Sequence, residues 1–197
     1  MIVILNGPPG VGKDTIADAF VRLNKNFTKD SFKSVLYTAT ADYFDLSVEQ
    51  LIQRNNNRKL KDVPYHLFEG YLKSVRELLI YVSEEIIKPK LGKDYFGRVK
   101  GSQFRYHKDK NTNFILSDGG FIEETNAVCN EVGVENVIVI RLYRDSYYFN
   151  NGVIKDSRSY INPKESKCKV IDIHLKEDDI GKAYCDIRKQ LIENYFK

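Results

Sequence analysis

Cysteine and histidine are scarce in this sequence, with three of each among 197 residues. Cys129, Cys168 and Cys185 lie far apart, and no two of them have the close spacing typical of zinc or redox sites. The histidines are equally scattered, so the sequence indicates neither a histidine-based metal site nor a catalytic triad. Because paired cysteines are lacking, a reducing compartment is favoured, and we expect a cytoplasmic protein.

Long apolar runs are also absent. No run approaches the roughly 18 residues of a membrane-spanning helix, so we expect no membrane partner. The apolar residues 2–5 are too few for a secretory signal and have no basic leader, and we interpret them as a buried strand. The sequence contains no repeats and no low-complexity linker, and its 42% apolar composition predicts one globular domain over residues 1–197.

Short apolar runs alternate with longer amphipathic ones, which predicts an α/β fold with a five-stranded parallel sheet flanked by helices. The predicted strands are residues 2–5, 27–32, 114–116, 137–140 and 170–173. The predicted helices are residues 15–23, a short helix opened by a capping box at 47–50, and residues 71–87, 122–132 and 180–192. Two polar segments, 51–65 and 143–169, are interpreted as insertions that close over substrates, with ordinary surface loops as the alternative.

The most informative segment is Gly7-Pro8-Pro9-Gly10-Val11-Gly12-Lys13-Asp14-Thr15. It lies between a predicted strand and a predicted helix, which is the context of a phosphate-binding loop. The glycines allow backbone N–H groups to point inward, the helix start adds a positive dipole end, and Lys13 supplies a charge for the outer phosphates. We therefore expect ATP to be bound by Gly7, Pro8, Gly10, Val11, Gly12, Lys13, Asp14 and Thr15.

Asp14 departs from the usual motif, in which Ser or Thr follows the lysine and reaches magnesium. Here the hydroxyl comes one residue later, at Thr15. Asp14 either binds magnesium-bound water or a substrate hydroxyl, or it caps the helix start. A carboxylate that points at ATP phosphates is repelled unless a cation lies between them. Both interpretations of Asp14 stay open.

The loop resembles that of nucleoside monophosphate kinases such as adenylate kinase, and its Gly-Lys-Asp-Thr form looks most like bacteriophage-type deoxynucleoside monophosphate kinases. This resemblance implies a P-loop NTPase three-layer sandwich with a monophosphate-binding region at residues 33–110 and a lid at 143–169. It implies ATP and Mg²⁺ as cofactors, nucleotide substrates, and the host cytoplasm as the location. Some related enzymes are homodimers, although no interface can be read from this sequence.

Asp118 ends an apolar strand, and a carboxylate at that end faces the crevice where α/β proteins bind ligands. We expect it to be catalytic and to organise magnesium together with Asp14 and Thr15. Related enzymes often have Asp-x-Arg here, whereas this chain has Gly119 and Gly120, which allow close backbone approach of a substrate. The missing arginine leaves the acceptor less defined than the reaction.

Several cations complete the expected site. Arg141 and Arg144 follow the strand at 137–140, and Lys155 and Arg158 lie further along, which resembles the lid of nucleoside monophosphate kinases. We expect Arg141 to bind ATP and at least one of Arg144 and Arg158 to stabilise the transferring group, with Lys13 as a further catalytic residue. Short matches to the phage enzymes give Lys33, Arg58, Lys59 and Arg76 as acceptor-binding residues. Gly119 and Gly120, which depart from those enzymes, are added because they allow close backbone approach.

Three functions remain open from the sequence. The first is ATP-dependent phosphorylation of a (deoxy)nucleoside 5′-monophosphate, and the second is a P-loop kinase of another small metabolite, favoured by Gly119, Gly120 and the missing arginine. The third is a nucleotide-binding module that hydrolyses ATP slowly, with the basic stretch 88–110 as a nucleic-acid face. No single-strand platform or helix-turn-helix pattern supports it, so stable nucleic-acid binding is not expected.

Overall fold

The computed structural model describes residues 1–107, 112–149, 158–177 and 179–195. Its seven described strands are β1 (Ile2–Asn6), β2 (Phe27–Asp30), β3 (Pro64–Phe68), β4 (Tyr71–Ser74), β5 (Asn113–Gly119), β6 (Val137–Tyr143) and β7 (Lys169–His174). The described α-helices are α1 (Lys13–Leu23), α2 (Lys33–Phe44), α3 (Val48–Asn56), α4 (Val75–Tyr81), α5 (Lys88–Leu91), α6 (Tyr95–His107), α7 (Ile122–Val132) and α8 (Ile180–Tyr195).

Five strands form one parallel sheet in the order β2-β5-β1-β6-β7, and all five were predicted from the sequence. The central strands β1, β5 and β6 are buried on both faces, which explains their continuous apolar runs. Alternate residues of β1 serve opposite layers. Val3 and Leu5 pack with α1 and α8, whereas Ile2 and Ile4 pack with α6 and α7. The predicted α/β fold with helices flanking a parallel sheet is confirmed.

Helix α6 was not expected from the sequence, because few apolar residues mark it and two glycines interrupt it. Those glycines lie where α6 approaches α7. A Cβ atom at Gly97 would be 2.2 Å from the carbonyl oxygen of Glu124, and one at Gly101 would be 2.6 Å from Cβ of Glu131. Glycine is therefore required for close packing of the two helices, and the apparent helix breakers are contact residues.

The predicted helix over 71–87 is wrong at its start and its end. Residues 71–74 form β4, which pairs with β3 in a two-stranded antiparallel hairpin, and Leu72 is exposed rather than buried. The helix begins at α4 with a complete capping box between Ser74 and Glu77. It then continues through a π-helical turn, Val82–Ile87, past Pro89 to the C-cap Gly92. A wider turn tolerates Pro89, which has no N–H to donate.

The segment 51–65 also differs from its interpretation as an insertion outside the core. Leu51 lies within α3 and is fully buried against α2 and α4. Helix α3 begins at Ser47 as expected, but only half of the predicted capping box forms, because Gln50 accepts a hydrogen bond from Tyr65 instead of reaching back. Helix α2 was not predicted either.

The segment 143–169 is only partly described. Its ends belong to β6 and β7, and Ile161 and Cys168 are buried in the core beside α7. This part of the segment is therefore core and not an insertion. The sequence Asn150-Asn151-Gly152 is typical of a turn, but these residues and Lys155 lie outside the described residues. Residues 108–110 of the expected monophosphate-binding region lie outside them too.

The strand order defines a crevice at the carboxyl ends of β1 and β5. From β1 the chain crosses to β2 on one side, and from β5 it crosses over β1 to β6 on the other. Such a reversal is where open α/β sheets bind ligands. A bulge in β5 adds one residue opposite β1, since Ile4 pairs with Leu116 but Asn6 pairs with Gly119.

Among the helices of the described residues, none is long and apolar enough to cross a bilayer.

Replacing Gly97 by alanine should destabilise the protein by about 3 kcal/mol, because the added methyl group meets a backbone carbonyl rather than a flexible side chain. Chemical denaturation measures the change. Gly181 is the matched control, since a Cβ atom there has no neighbour closer than 4.0 Å. Gly181→Ala should stabilise α8 by about 0.5 kcal/mol. Equal stability of the two variants would contradict the packing role of Gly97.

Candidate functional site

The loop of residues 7–12 lies at the crevice and connects β1 to α1. Gly7 approaches the backbone of β6 so closely that a Cβ atom would be 2.9 Å from the carbonyl oxygen of Leu142. Gly10 and Gly12 have φ angles of 83° and 111°, and Gly12 is the N-cap of α1. The ring of Tyr147 lies against Gly10, 2.9 Å from the position of a Cβ atom. Three glycines therefore meet a steric or conformational requirement.

Lys13 is the first residue of α1 and is 8% exposed. Its ammonium group donates to the carbonyl oxygens of Gly7 at 2.6 Å and Pro8 at 2.8 Å. Burial lowers the pKa of Lys13 to about 8, and the charge of Arg158 acts in the same direction. The loop thus encloses a buried cation whose acceptors are backbone carbonyls, and stronger anionic acceptors can replace them.

Asp14 is tied to the two strands that flank α1. Its Oδ1 atom accepts a hydrogen bond from Ser117 at 2.8 Å and lies 3.1 Å from Nζ of Lys29. Burial alone would raise the pKa of Asp14, but these two partners hold it below its usual value. The side chain is nonetheless 76% exposed. Lys29 is thus a cation beside Asp14 that the motif alone does not reveal.

Asp118 contacts the start of α2. Its two carboxylate oxygens accept hydrogen bonds from the backbone N–H groups of Phe32 at 2.9 Å and Lys33 at 3.0 Å. Burial raises the pKa of Asp118, while the charge of Lys33 and the two N–H groups oppose that effect. The carboxylate therefore fixes the position of Lys33 at the crevice.

Within the described ranges, no group of three or more His, Cys, Asp or Glu side chains forms a metal cage. Asp14 and Asp118 both lie at the crevice, whereas Thr15 is exposed beside the loop. A magnesium ion bound by two phosphates and water does not need such a cage. The expected metal role of these three residues stays a prediction.

Asn6 was missed by the sequence interpretation, yet its side chain joins β1 to the end of β5 and to residues 159 and 161 within the segment 143–169. Its amide, which is fully buried, donates to the carbonyls of Gly119 at 3.1 Å and Ser159 at 2.9 Å. Its oxygen accepts from the N–H of Ile161 at 2.9 Å. A polar residue at the buried end of an apolar strand is the signal that indicates it.

The segment that Asn6 holds at residues 159 and 161 places Arg158 beside the glycine-rich loop. Its aliphatic stem lies over Gly120, where a Cβ atom would be 2.7 Å from Cγ and Cδ of Arg158. A Cβ atom at Gly119 would be closer still to a neighbour, 2.3 Å from Cγ2 of Ile4. The two glycines thus have packing partners within the chain. Their expected contact with substrate stays a prediction, and so does the catalytic role of Arg158.

Arg141 is fully engaged. Its guanidinium group forms a bidentate ion pair with Asp172 at 2.6 and 2.7 Å and donates to the carbonyl of Ile161 at 3.2 Å. This geometry favours a role in holding the segment before β7 over direct contact with ATP. Arg144 pairs with Glu177 at 3.0 Å and stacks over the ring of Tyr147, beside Gly10. Arg144 therefore lies next to the glycine-rich loop, where a residue that contacts the transferring group is expected.

A second group of cations surrounds Lys61, which the sequence interpretation missed. Burial lowers the pKa of Lys61, and the charges of Arg76 and Arg58 lower it further. Lys33 acts in the same direction and also lowers the pKa of Lys13. Arg76 pairs with Asp62 at 3.0 Å. Among described residues, no carboxylate lies within ion-pair distance of Lys33, Arg58 or Lys61. Lys59 is exposed on the same turn as Arg58.

The basic stretch at 88–107 is largely neutralised. Lys88 pairs with Glu84, Arg98 with Asp94, and Arg105 with Glu131. Lys100 is 4% exposed and binds both oxygens of Asp30 at 2.8 Å. These contacts do not favour a nucleic-acid face on this part of the chain.

No family model matches the chain, and no curated protein matches it. The function is therefore inferred from the geometry of the site.

Anion affinity should depend on the protonation of Lys13. If the loop binds a polyphosphate as the sequence predicts, phosphate oxygens contact the charged ammonium group, and above a pH of about 8 the free protein takes up a proton on binding. The dissociation constant of ADP, measured by calorimetry, should be nearly constant from pH 7 to 7.5. Above pH 8 it should rise by up to about tenfold per unit. Lys13→Arg keeps its charge and should show a flat profile; equal slopes would contradict this role of Lys13.

Proposed function

We propose that this protein is a kinase of the P-loop NTPase class that transfers a phosphoryl group from ATP to a (deoxy)nucleoside 5′-monophosphate. The observation that carries the proposal is the position of Lys33. It is close enough to lower the pKa of Lys13 at the glycine-rich loop and that of Lys61 in the second cationic group. We infer that Lys33 lies between two anion-binding regions, as expected where a phosphoryl group passes between two phosphorylated substrates.

The donor side is the loop with Lys13. The backbone N–H groups at the start of α1 and the ammonium group of Lys13 suit the phosphates of ATP. In that complex the phosphate oxygens replace the carbonyls of Gly7 and Pro8 as acceptors for Lys13. Magnesium, when bound, neutralises charge on the outer phosphate oxygens. Asp118 is the residue of this chain whose carboxylate is suited to it, directly or through water.

The acceptor side is the group formed by Lys33, Arg58, Lys61 and Arg76. Three of these four lack a carboxylate partner among the described residues, and Arg76 has Asp62. Like charges repel unless an anion lies between them, and the charges of Arg76 and Arg58 add to burial in lowering the pKa of Lys61. A dianionic monophosphate is a ligand of the required charge, and it would stand beside Lys33, which Asp118 holds in place.

Transfer itself requires positioning and charge compensation. Lys33 lies between the two groups, and Arg158 approaches Lys13 closely enough to lower its pKa. We propose that these two residues stabilise the transferring group while Lys13 follows the donor phosphates. Arg144, beside Gly10 and Tyr147, is suited to the nucleotide donor. A kinase of another phosphorylated metabolite would use the same cations, so the acceptor is decided by experiment.

Incubation with MgATP and a panel of ribo- and deoxyribonucleoside monophosphates should show ADP formation stimulated strongly by one or two of them. Lys13→Met should reduce turnover by at least about a thousandfold at unchanged thermal stability, since the donor phosphates lose their buried cation. Lys25→Met, on an exposed turn, is the matched control and should keep full activity. Folded wild-type protein that no monophosphate stimulates would rule out the proposal.

Lys61→Met should raise the Michaelis constant of the monophosphate about tenfold and leave that of ATP within twofold, because one charge-assisted contact is lost on the acceptor side alone. Arg76→Ala should behave alike. Asp62→Asn removes the partner of Arg76 but no cation, and should leave the monophosphate constant unchanged or lower it. If only the Michaelis constant of ATP rises, the assignment of Lys61 to the acceptor side is wrong.

A further inference from the structure

Asp14 poses an electrostatic problem at the proposed donor site. It is the second residue of α1, where phosphates are expected to meet the helix N-terminus. Its charge is close enough to Lys13 to raise the pKa of that lysine, so it is also close enough to repel an anion that Lys13 binds. A loop with this carboxylate uncompensated would bind polyphosphate weakly.

The compensating cation comes from β2. Lys29 shares the α1-facing side of that strand with Phe27, whose ring packs against Phe20 at 5.5 Å. Nζ of Lys29 lies 3.1 Å from Oδ1 of Asp14 and 2.8 Å from Oδ1 of Asp18.

Ser117 completes the arrangement from β5. Its hydroxyl donates to the same Oδ1 atom of Asp14 at 2.8 Å, and the serine is 6% exposed. The carboxylate is therefore held between the ends of β5 and β2. Since Asp14 and Asp18 are four residues apart, both face the same side of α1, and Lys29 reaches both.

We propose that Lys29 is a positioning residue for nucleotide binding, whose ammonium group neutralises Asp14 and, with Ser117, holds its carboxylate at the β2 side of α1. This inference rests on the proposed function, because it concerns binding of a polyphosphate to the same loop. It makes Lys29 and Asp14 a compensating pair. Removing the cation alone should harm binding, whereas removing both charges should not.

If Asp14 instead binds magnesium-bound water, its replacement should have the opposite effect. In that case Asp14→Asn would reduce the gain in ADP affinity that magnesium provides. If Asp14 and Lys29 form a compensating pair, the Asp14→Asn variant keeps the magnesium-dependent gain in ADP affinity. It also binds metal-free ADP at least as tightly as the wild type. Measurements with and without Mg²⁺ therefore separate the two roles.

The experiment is calorimetric titration of ADP into wild-type protein and variants at low ionic strength, with thermal unfolding measured for each. Lys29→Met should weaken ADP binding about fivefold, and the difference should shrink as KCl is added, because exposed charges are screened. Lys29→Arg should bind like the wild type. The double variant Lys29→Met with Asp14→Asn should regain wild-type affinity, which a general loss of structure could not produce.

Asp18→Asn is the matched control. It removes the other ion pair of Lys29 without touching the loop, so ADP affinity should stay within twofold of the wild type. The inference is overturned if Lys29→Met binds ADP within twofold, if Asp14→Asn fails to rescue it, or if Asp14→Asn abolishes the magnesium-dependent gain. Those outcomes leave the kinase proposal intact. Wild-type protein that binds no ADP overturns both.

Discussion

The side-chain amide of Asn6 joins the parts of the crevice that the chain brings together from distant positions. Its two donors and one acceptor bind the backbone of Gly119, Ser159 and Ile161, and Asn6 itself is fully buried. The buried hydrogen bonds to Gly119 and Ile161 would leave unpaired groups if the amide were absent, at a cost of about 1–3 kcal/mol apiece. The loop begins at the next residue, so its base and the segment that delivers Arg158 share one anchor.

The cations of the candidate site act on one another electrostatically. Lys13 and Lys61 both have lowered pKa values, and Lys33 contributes to each. The carboxylates nearby are already committed, since Asp118 accepts from the backbone at the start of α2 and Asp14 from Ser117 and Lys29.

The five strands of the sheet could be predicted because buried parallel strands produce continuous apolar runs of β-branched residues, as in β6. The glycine-rich loop could be located because its residue spacing follows from local geometry. Helix α6 could not, since Gly97 and Gly101 are read as helix breakers when the partner helix is unknown. The start of α4 was missed because Leu72 continues an apolar period that the hairpin leaves exposed.

The candidate site likewise contains some residues that could be predicted from the sequence and others that could not. Lys13 and Asp118 follow from their positions in the loop and at a strand end. Lys29 is predictable from the two-residue period of β2, which places it on the side of Phe27, but its partners depend on how α1 docks. Lys61 carries little local signal, because Arg76 meets it only through the hairpin and α4. Cations that act as a group are recognised only when the chain is folded.

The residue that follows Asn6 makes its side chain prone to chemical damage. Asn6 is followed by Gly7, and an asparagine before glycine is the pair most prone to deamidation, since the unhindered glycine N–H attacks the side-chain amide through a cyclic imide. The extended conformation of β1 and the three hydrogen bonds of the amide disfavour that attack in the folded protein. An unfolded chain has neither protection. Once converted to a carboxylate, residue 6 can no longer donate to two carbonyls and adds a charge to a dry interior. A chain that deamidates at Asn6 before it folds can therefore no longer form the hydrogen bonds that join β1 to Gly119 and Ser159.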